Sequence, residues 1–333
     1  MSRLLDFPLA LPMRGYVIGV DLGGTLIKAA ALDLKGKLLA RTKTSTLVEE
    51  GPERTIANIV LSVCKLKKRL DPRPLLAVGV GVPGILDWEE GLVIQCPNLP
   101  GWEGLALRER LGKDIDRPVA IENDANAAAL GERWLGAAKD WNNFMLITLG
   151  TGVGSGMVLD GKLWRGESGR AGELGHVQVE PRGLACGCGG RGCLEQYASA
   201  TAIKRMALEG IKKGKESAIY EIAQGKTDRI GLEIVQKAAR AGDPLAREIY
   251  RKVGTYLGSG IAAVVNLLDI SNFVLAGGVS TAYDLFVEAL QEKLKEQVLG
   301  QDAERIRVES SRLGPDVGMY GCAYLAITSL TAG

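Results

Sequence analysis

The stretch 173–195 reads ELGHVQVEPRGLACGCGGRGCLE and holds the only histidine of the chain, His176, together with Cys186, Cys188 and Cys193. One imidazole and three thiols close a tetrahedron around zinc and leave no position open, which marks a structural metal site and not a catalytic one. Other uses of these cysteines fit less well. Their number is odd, a disulfide from Cys186 to Cys188 would be strained, and the cluster has no Cys-x-x-Cys redox spacing. Cys-x-Cys is tight for a metal knuckle. Gly187 is therefore expected to bend the chain between the first two thiols, and Gly189, Gly190 and Gly192 to do the same before Cys193.

Two glycine-rich turns point to anion chemistry. Asp21-Leu22-Gly23-Gly24-Thr25 places a carboxylate at the end of a β-branched run, then two glycines and a hydroxyl. Glycines let backbone N–H groups approach an anion, and Thr25 adds a donor. The plain alternative is a hairpin turn that needs positive φ. A second turn, Gly150-Thr151-Gly152-Val153-Gly154-Ser155-Gly156, favours phosphate, because two facing cradles can hold one nucleotide triphosphate between lobes. Neither is a Walker A loop, since no Gly-Lys-Ser or Gly-Lys-Thr follows, and the first leads into a strand where a dinucleotide fingerprint would lead into a helix. Ala276-Gly277-Gly278-Val279 is a weaker candidate for close approach of a ring or phosphate.

Glu122-Asn123-Asp124 lies where a strand meets an alanine-rich helix. A carboxylate there serves either as a helix N-cap or as the acceptor of a hydroxyl proton during γ-phosphoryl transfer; the residues alone leave both open. The loop Pro97–Trp102 reads as a rigid turn in which Asn98 would suit a sugar hydroxyl.

These groups need a scaffold. YVIGVDL (16–22), LIKAAALD and KLLART form an antiparallel meander around the first turn. Ile56, Ile59, Val60 and Val63 fall on one face of a helix over 55–70. LLAVGVGVPG (75–84) and PVAIEND (118–124) read as strands, and 124–136 as a helix. The opening layout then returns as NFMLITL (143–149), the second glycine turn, SGMVLD and LWRG. Two such units about 130 residues apart predict a duplicated, two-lobed α/β architecture. Helices follow near 198–209, 230–241 and 244–268, then the strand NFVLA (272–276), a helix over 281–298, the strand RIRVES and a helix from 316. No low-complexity linker separates the halves, so closely coupled lobes with crossings near 120–124 and 312 are expected.

A chain of 333 residues exceeds what one core usually serves. With 46% hydrophobic and 24% charged residues it is an ordinary globular mix. Its net charge of +2, with the signs interspersed, gives no footprint for nucleic acid. The densest basic run, Lys65, Lys67, Lys68 and Arg69, suits a helix C-terminus. No run approaches ~18 apolar residues, so no membrane span is expected. The start, MSRLLDFPLALPMRG, is broken by Asp6, Pro8 and Pro12 and reads as a loose extension, not a signal peptide. Cys64, Cys96 and Cys322 sit in apolar surroundings and are expected to be buried free thiols, suited to a reducing cytoplasm.

Taken together, DLGGT (21–25), END (122–124), LGTGVG (149–154), ELGH (173–176) and CGCGGRGCLE (186–195) resemble the ROK family of repressors and sugar kinases over about residues 15–330. The resemblance implies a duplicated actin/hexokinase-like (ribonuclease H-like) fold with an interlobe cleft. Its small lobe would be 1–122 plus 313–333, and its large lobe 123–312, with the zinc site and dimer contacts. It implies that Asp124 is the general base toward a hexose 6-hydroxyl. Asn98, Asn123, Asp124, Glu173, His176 and Glu195 would hold sugar hydroxyls, His176 also ligating zinc through one ring nitrogen. Asp21, Gly23, Gly24, Thr25, Lys28, Thr151, Gly152, Val153, Gly154, Gly277 and Gly278 would hold ATP, with Mg2+ near Asp21. One departure stands out. Relatives often carry lysine after Gly-Gly-Thr, where this chain has Leu26; Lys28, on the same side of an alternating strand, is the expected stand-in. The implied activity is ATP-dependent phosphorylation of a hexose, glucose first, by a cytoplasmic homodimer or homotetramer without nucleic-acid or membrane partners. N-acetylmannosamine, N-acetylglucosamine, fructose and allose are alternative substrates. A sugar-sensing repressor is disfavoured, because the first phosphate motif begins at residue 21 and leaves no room for a preceding helix-turn-helix.

Overall fold

The computed structural model describes residues 15–330; the expected N-terminal extension lies outside them. The chain forms two compact units. The first runs as far as Asp140 and also takes in Leu163–Ala171 and the chain from Asp316. The second holds Trp141–Lys162 and Gly172–Pro315.

The first unit contains strands β1 (Tyr16–Leu22), β2 (Leu26–Asp33), β3 (Leu38–Ser45), β4 (Leu75–Val82), β5 (Ile85–Asp87), β6 (Leu92–Gln95) and β7 (Val119–Asn123). Its helices are α1 (Pro52–Leu70), α2 (Leu107–Ile115), α3 (Asp124–Leu135) and a final helix, Val317–Ser329. The main sheet has the order β3-β2-β1-β4-β7; β1 to β3 are antiparallel and β4 and β7 join in parallel. The period-2 alternation of YVIGVDL sorts β1 cleanly. Tyr16, Ile18, Val20 and Leu22 enter a core with Ile56, Ile59 and Val63 of α1 and Leu107 and Leu111 of α2. Val17 belongs to the opposite face, with Leu130 and Trp134 of α3 and Met319 and Ala323 of the final helix. On that face small residues set the spacing. A Cβ at Gly19 or Gly79 would overlap the final helix backbone at Met319 or Cys322, and one at Gly321 would overlap the Ala127 carbonyl of α3.

The second unit repeats the pattern. Its sheet has strands β8 (Phe144–Leu149), β9 (Val153–Leu159), β10 (Lys162–Trp164, of which only Lys162 is counted in this unit), β11 (Asn272–Ala276) and β12 (Arg307–Ser310), in the order β10-β9-β8-β11-β12. Again an antiparallel hairpin is extended by two parallel strands, so the duplication read from the two glycine turns is real at the level of sheet topology. Helices α4 (Glu195–Ala198), α5 (Ala200–Lys212), α6 (Ile219–Ile222), α7 (Leu232–Arg240), α8 (Pro244–Leu268) and α9 (Tyr283–Gln297) complete it. One core joins Tyr250, Leu257 and Ile261 of α8 to Phe273 and Leu275 of β11 and Phe286 and Leu290 of α9.

Three expectations need correction. The boundary at 122/123 put α3 with the second lobe; α3 instead packs on the final helix through Gly321, so the first unit extends to Asp140 and the two units are of nearly equal length. Cys64 is exposed, because it falls off the Ile56–Ile59–Val63 stripe of α1; Cys96 and Cys322 are buried as expected. The β5–β6 hairpin and α2 were not anticipated. Among the described residues no helix is long and apolar enough to cross a membrane.

Candidate active site and metal cluster

The first glycine turn joins β1 to β2. Gly23 N–H donates to the Leu26 carbonyl (3.1 Å), and the buried Thr46 pins the turn by donating its hydroxyl to the Gly23 carbonyl (2.7 Å) and its amide to Thr25 (2.9 Å). Neither Gly23 nor Gly24 adopts positive φ, which removes the hairpin-strain explanation. A Cβ on Gly24 would meet nothing within 4 Å, so packing does not demand that glycine either. What remains is an open backbone turn beside Asp21. The Asp21 carboxylate lies against Gly318 in the first turn of the final helix, where a Cβ would sit 2.7 Å from its Cγ, a position the helix dipole favours for negative charge. Burial raises this carboxyl above its ordinary range, Lys28 lowers it and Asp316 raises it. Lys28 stands opposite Asp21 in the strand register, its Nζ 3.9 Å from Asp21 Oδ2, on the side that strand alternation required.

Asn123, not Asp124, caps α3. Its Oδ1 accepts the Ala125 and Asn126 amides (2.9 and 3.1 Å), and its Nδ2 donates to the Gly84 carbonyl (3.0 Å). The cap demand is thus met, and Asp124 becomes the half-buried first residue of the helix, with Oδ1 accepting the Ala125 amide (2.9 Å). The Pro83-Gly84 loop also receives the Cys96 thiol (2.8 Å to the Pro83 carbonyl). Burial pushes that thiol up to about 11, against hydrogen bonding at Leu99 and with help from the Asp124 charge. The Asp124 charge is thus felt at Cys96, which adjoins the Pro97–Trp102 loop. In that loop Leu99 and Trp102 are buried anchors and Asn98 is exposed; the indole is core and is not available to a ligand.

In the second unit, Gly150 N–H donates to Gly152 (3.0 Å), while Ala200 N–H and the Thr201 hydroxyl tie the turn carbonyls of Gly150 and Thr151 to α5 (2.8 and 2.7 Å). None of Gly150, Gly152 and Gly154 has positive φ, and Gly150 faces open space. Gly152 is required by Glu195: a Cβ there would overlap the Glu195 carboxylate, whose Oε2 accepts the Val153 amide (3.0 Å). Gly277 does have left-handed backbone (φ 90°), and a Cβ there would press on Leu149. Its smallness brings the end of β11 against the second turn.

The GELGH segment is fastened to β9. Ser155 donates to the Gly172 carbonyl and accepts the Leu174 amide (3.2 Å), and Gly175 leaves room for the Val153 carbonyl. This fixes Glu173 and His176 at either end of a single turn, Leu174–His176. Glu173 keeps exposed surface, yet desolvation by the protein around it raises its carboxyl, with His176 lowering it and Glu195 raising it.

His176, Cys186, Cys188 and Cys193 offer four ligand atoms within 4.8 Å of one another. The His176 Nδ1 to Cys186 Sγ distance is 3.8 Å and Cys188 Sγ to Cys193 Sγ is 3.7 Å. A tetrahedron with Zn–S of about 2.3 Å and Zn–N of about 2.0 Å has edges of about 3.8 Å (S···S) and about 3.5 Å (S···N). The donor set therefore fits zinc, and the sulfurs are far outside the ~2.05 Å of a disulfide. Gln196 Nε2 donates to Cys186 Sγ (3.6 Å), a donor suited to a thiolate. Left-handed Gly189 and Gly192 (φ 91° and 68°) make the sharp turns. Gly187, expected to do so, has neither positive φ nor a close neighbour, because Cys186–Cys188 is bridged by the Gly189 amide to the Cys186 carbonyl (3.0 Å).

The ROK family model matches residues 17–329. The chain is 38% identical to the glucokinase of Thermotoga maritima over 307 residues, 92% of this chain and 96% of the relative. It is 30% identical to the xylose repressor of Caldicellulosiruptor bescii, over 95% of this chain and 79% of the repressor. The crystal structure of a ROK family glucokinase from Streptomyces griseus in complex with glucose and AMPPNP superposes with a TM-score of 0.84 at 35% identity, covering 94% of this chain and 100% of that one. The two-lobed, actin/hexokinase-like α/β class read from the sequence is thus the observed one. On its motifs, its duplicated sheets and these matches, the chain belongs to the ROK family.

Proposed function

We propose that this protein is an ATP-dependent glucokinase. The observation that carries the reading is the start of α3, where Asn123 takes the cap and Asp124, its Oδ1 on the Ala125 amide, is the first helical residue. Asp124 accepts the proton of the sugar 6-hydroxyl while that oxygen forms a bond to the γ-phosphorus and the bond to the bridging oxygen of ADP breaks. Asn98, Asn123, Glu173, His176 and Glu195 hold the other hydroxyls. The open backbone turns at Gly23–Thr25 and Thr151–Gly154, with Lys28, Gly277 and Gly278, take the phosphates and nucleotide. Mg2+ held at Asp21 would neutralise phosphate charge. Zinc on His176, Cys186, Cys188 and Cys193 is structural. The similarity to glucokinases over nearly the full length supports glucose as substrate. The buried free thiols Cys96 and Cys322 suit a cytoplasmic enzyme, and the family resemblance suits a homodimer or homotetramer.

A coupled assay of ADP release tests the substrate. With glucose, mannose, fructose, allose, N-acetylglucosamine and N-acetylmannosamine as acceptors, glucose should give the highest kcat/KM. A preference for an acetamido sugar, or no ADP release with any hexose, would overturn the reading.

A further inference from the structure

Phosphoryl transfer as described gives no role to the buried charge of Glu122. Glu122, 2% exposed, immediately precedes Asn123-Asp124. Its Oε1 accepts the Asn123 amide (3.0 Å) and Asn126 Nδ2 (3.1 Å), and its Oε2 accepts Arg165 Nε (2.7 Å). A carboxylate out of water persists only with such partners. Here they are the first turn of α3 on one side and, on the other, a residue distant in sequence.

Arg165 belongs to Leu163–Ala171, the excursion of the chain from the second unit into the first. Three features fix it there. Its guanidinium lies over the Trp88 ring, 4.3 Å from the centroid, with Trp88 in the β5–β6 turn. Gly166 and Gly169, both left-handed (φ 73° and 75°), turn the excursion back so that the Ala171 amide donates to the Arg165 carbonyl (3.0 Å). Leu163 packs on the apolar cluster of α3 and the final helix. Glu122 also dictates the orientation of Asn126, whose Oδ1 is buried without a partner once Nδ2 has turned to the carboxylate.

We propose that Arg165 is a positioning residue for phosphoryl transfer: through Glu122 it fixes the Asn123–Asp124 start of α3 and hence the direction of the Asp124 carboxylate. The inference rests on the reading of Asp124 as base. Arginine is specific for the task, because its planar group stacks on Trp88 while Nε points edge-on at the carboxylate; the point charge of a lysine does not do both. A displacement of about 1 Å at a reacting group costs about 100-fold in rate.

Steady-state kinetics and thermal melting of Arg165→Lys, Glu122→Gln, the double variant Glu122→Gln/Arg165→Met and Asp124→Asn test this. Arg165→Lys should lower kcat about 10- to 100-fold, measured well below its Tm, and leave the KM for ATP within about 3-fold. The double variant should lose no more than the worse single one, since both act through one contact. It removes both charges together, so it decides the matter if a single variant fails to fold; wild-type kcat in the double, or losses that simply add, overturns the proposal. If Asp124→Asn is inactive but Arg165→Lys keeps wild-type kcat, the base stands and the role of Arg165 falls. If Asp124→Asn retains activity, the base reading itself fails.

Discussion

His176 has two ring nitrogens, and the proposed function gives each a different task. Nδ1 faces Cys186 Sγ at 3.8 Å, within the candidate metal cluster; on the proposed reading Nε2 takes a sugar hydroxyl, with the tautomer set by the metal. Crowding explains why a cation belongs there. Burial, with the thiols of Cys188 and Cys186 alongside, pushes Cys193 up to about 12, and a divalent ion reverses that preference. We therefore expect about one zinc per chain by elemental analysis, and stripping it should weaken glucose binding more than binding of an ATP analogue in calorimetry. Equal losses of both would show that the metal supports only the general fold. At this scale the residue types and spacing of the cluster were legible, because ligand chemistry is local. The roles of Asn123 and Glu122 were not: two adjacent polar residues at a helix start cannot be told apart without the Gly84 carbonyl, and the partner of Glu122 is Arg165, which no local pattern predicts.

Elements are placed by missing side chains as much as by present ones. The final helix lies close on β1 and β4 because Gly19, Gly79 and Gly81 face it, and on α3 because Gly321 meets Ala127. That close packing holds Asp21 at the helix start and Asp124 at the start of α3. Gly321→Ala should therefore destabilise the protein by at least about 1–3 kcal/mol through overpacking against backbone, read as a lower Tm; an unchanged Tm would contradict the packing account. Most elements could be read from periodicity, and both sheets from the repeated glycine turns. Helix α2 was missed although Leu107, Leu111 and Ile115 keep helical spacing and are all buried; Gly112 and a charged sequence obscured it. The β5–β6 hairpin has strands too short, three and four residues, to announce themselves by alternation.

The whole molecule is one topology used twice, and the proposed chemistry draws on both copies. Asp21 and Asp124 come from the first unit, whereas Glu173, Glu195 and the metal cluster come from the second. Within the second, the Glu195 carboxylate, proposed to bind sugar, also accepts the Val153 amide of the second glycine turn (3.0 Å). The duplication was legible because each copy announces itself with strand, glycine turn and strand. The true boundary was not, because it depends on which sheet α3 covers, a tertiary fact. The account as a whole turns on Asp124, and the most direct measurement is kcat for glucose 6-phosphate formation by wild type and Asp124→Asn at saturating glucose and ATP, with thermal melting and glucose binding measured on both. We predict a loss of about 100- to 10,000-fold in kcat with Tm and glucose affinity nearly unchanged. Retention of near-wild-type turnover by Asp124→Asn would contradict the account.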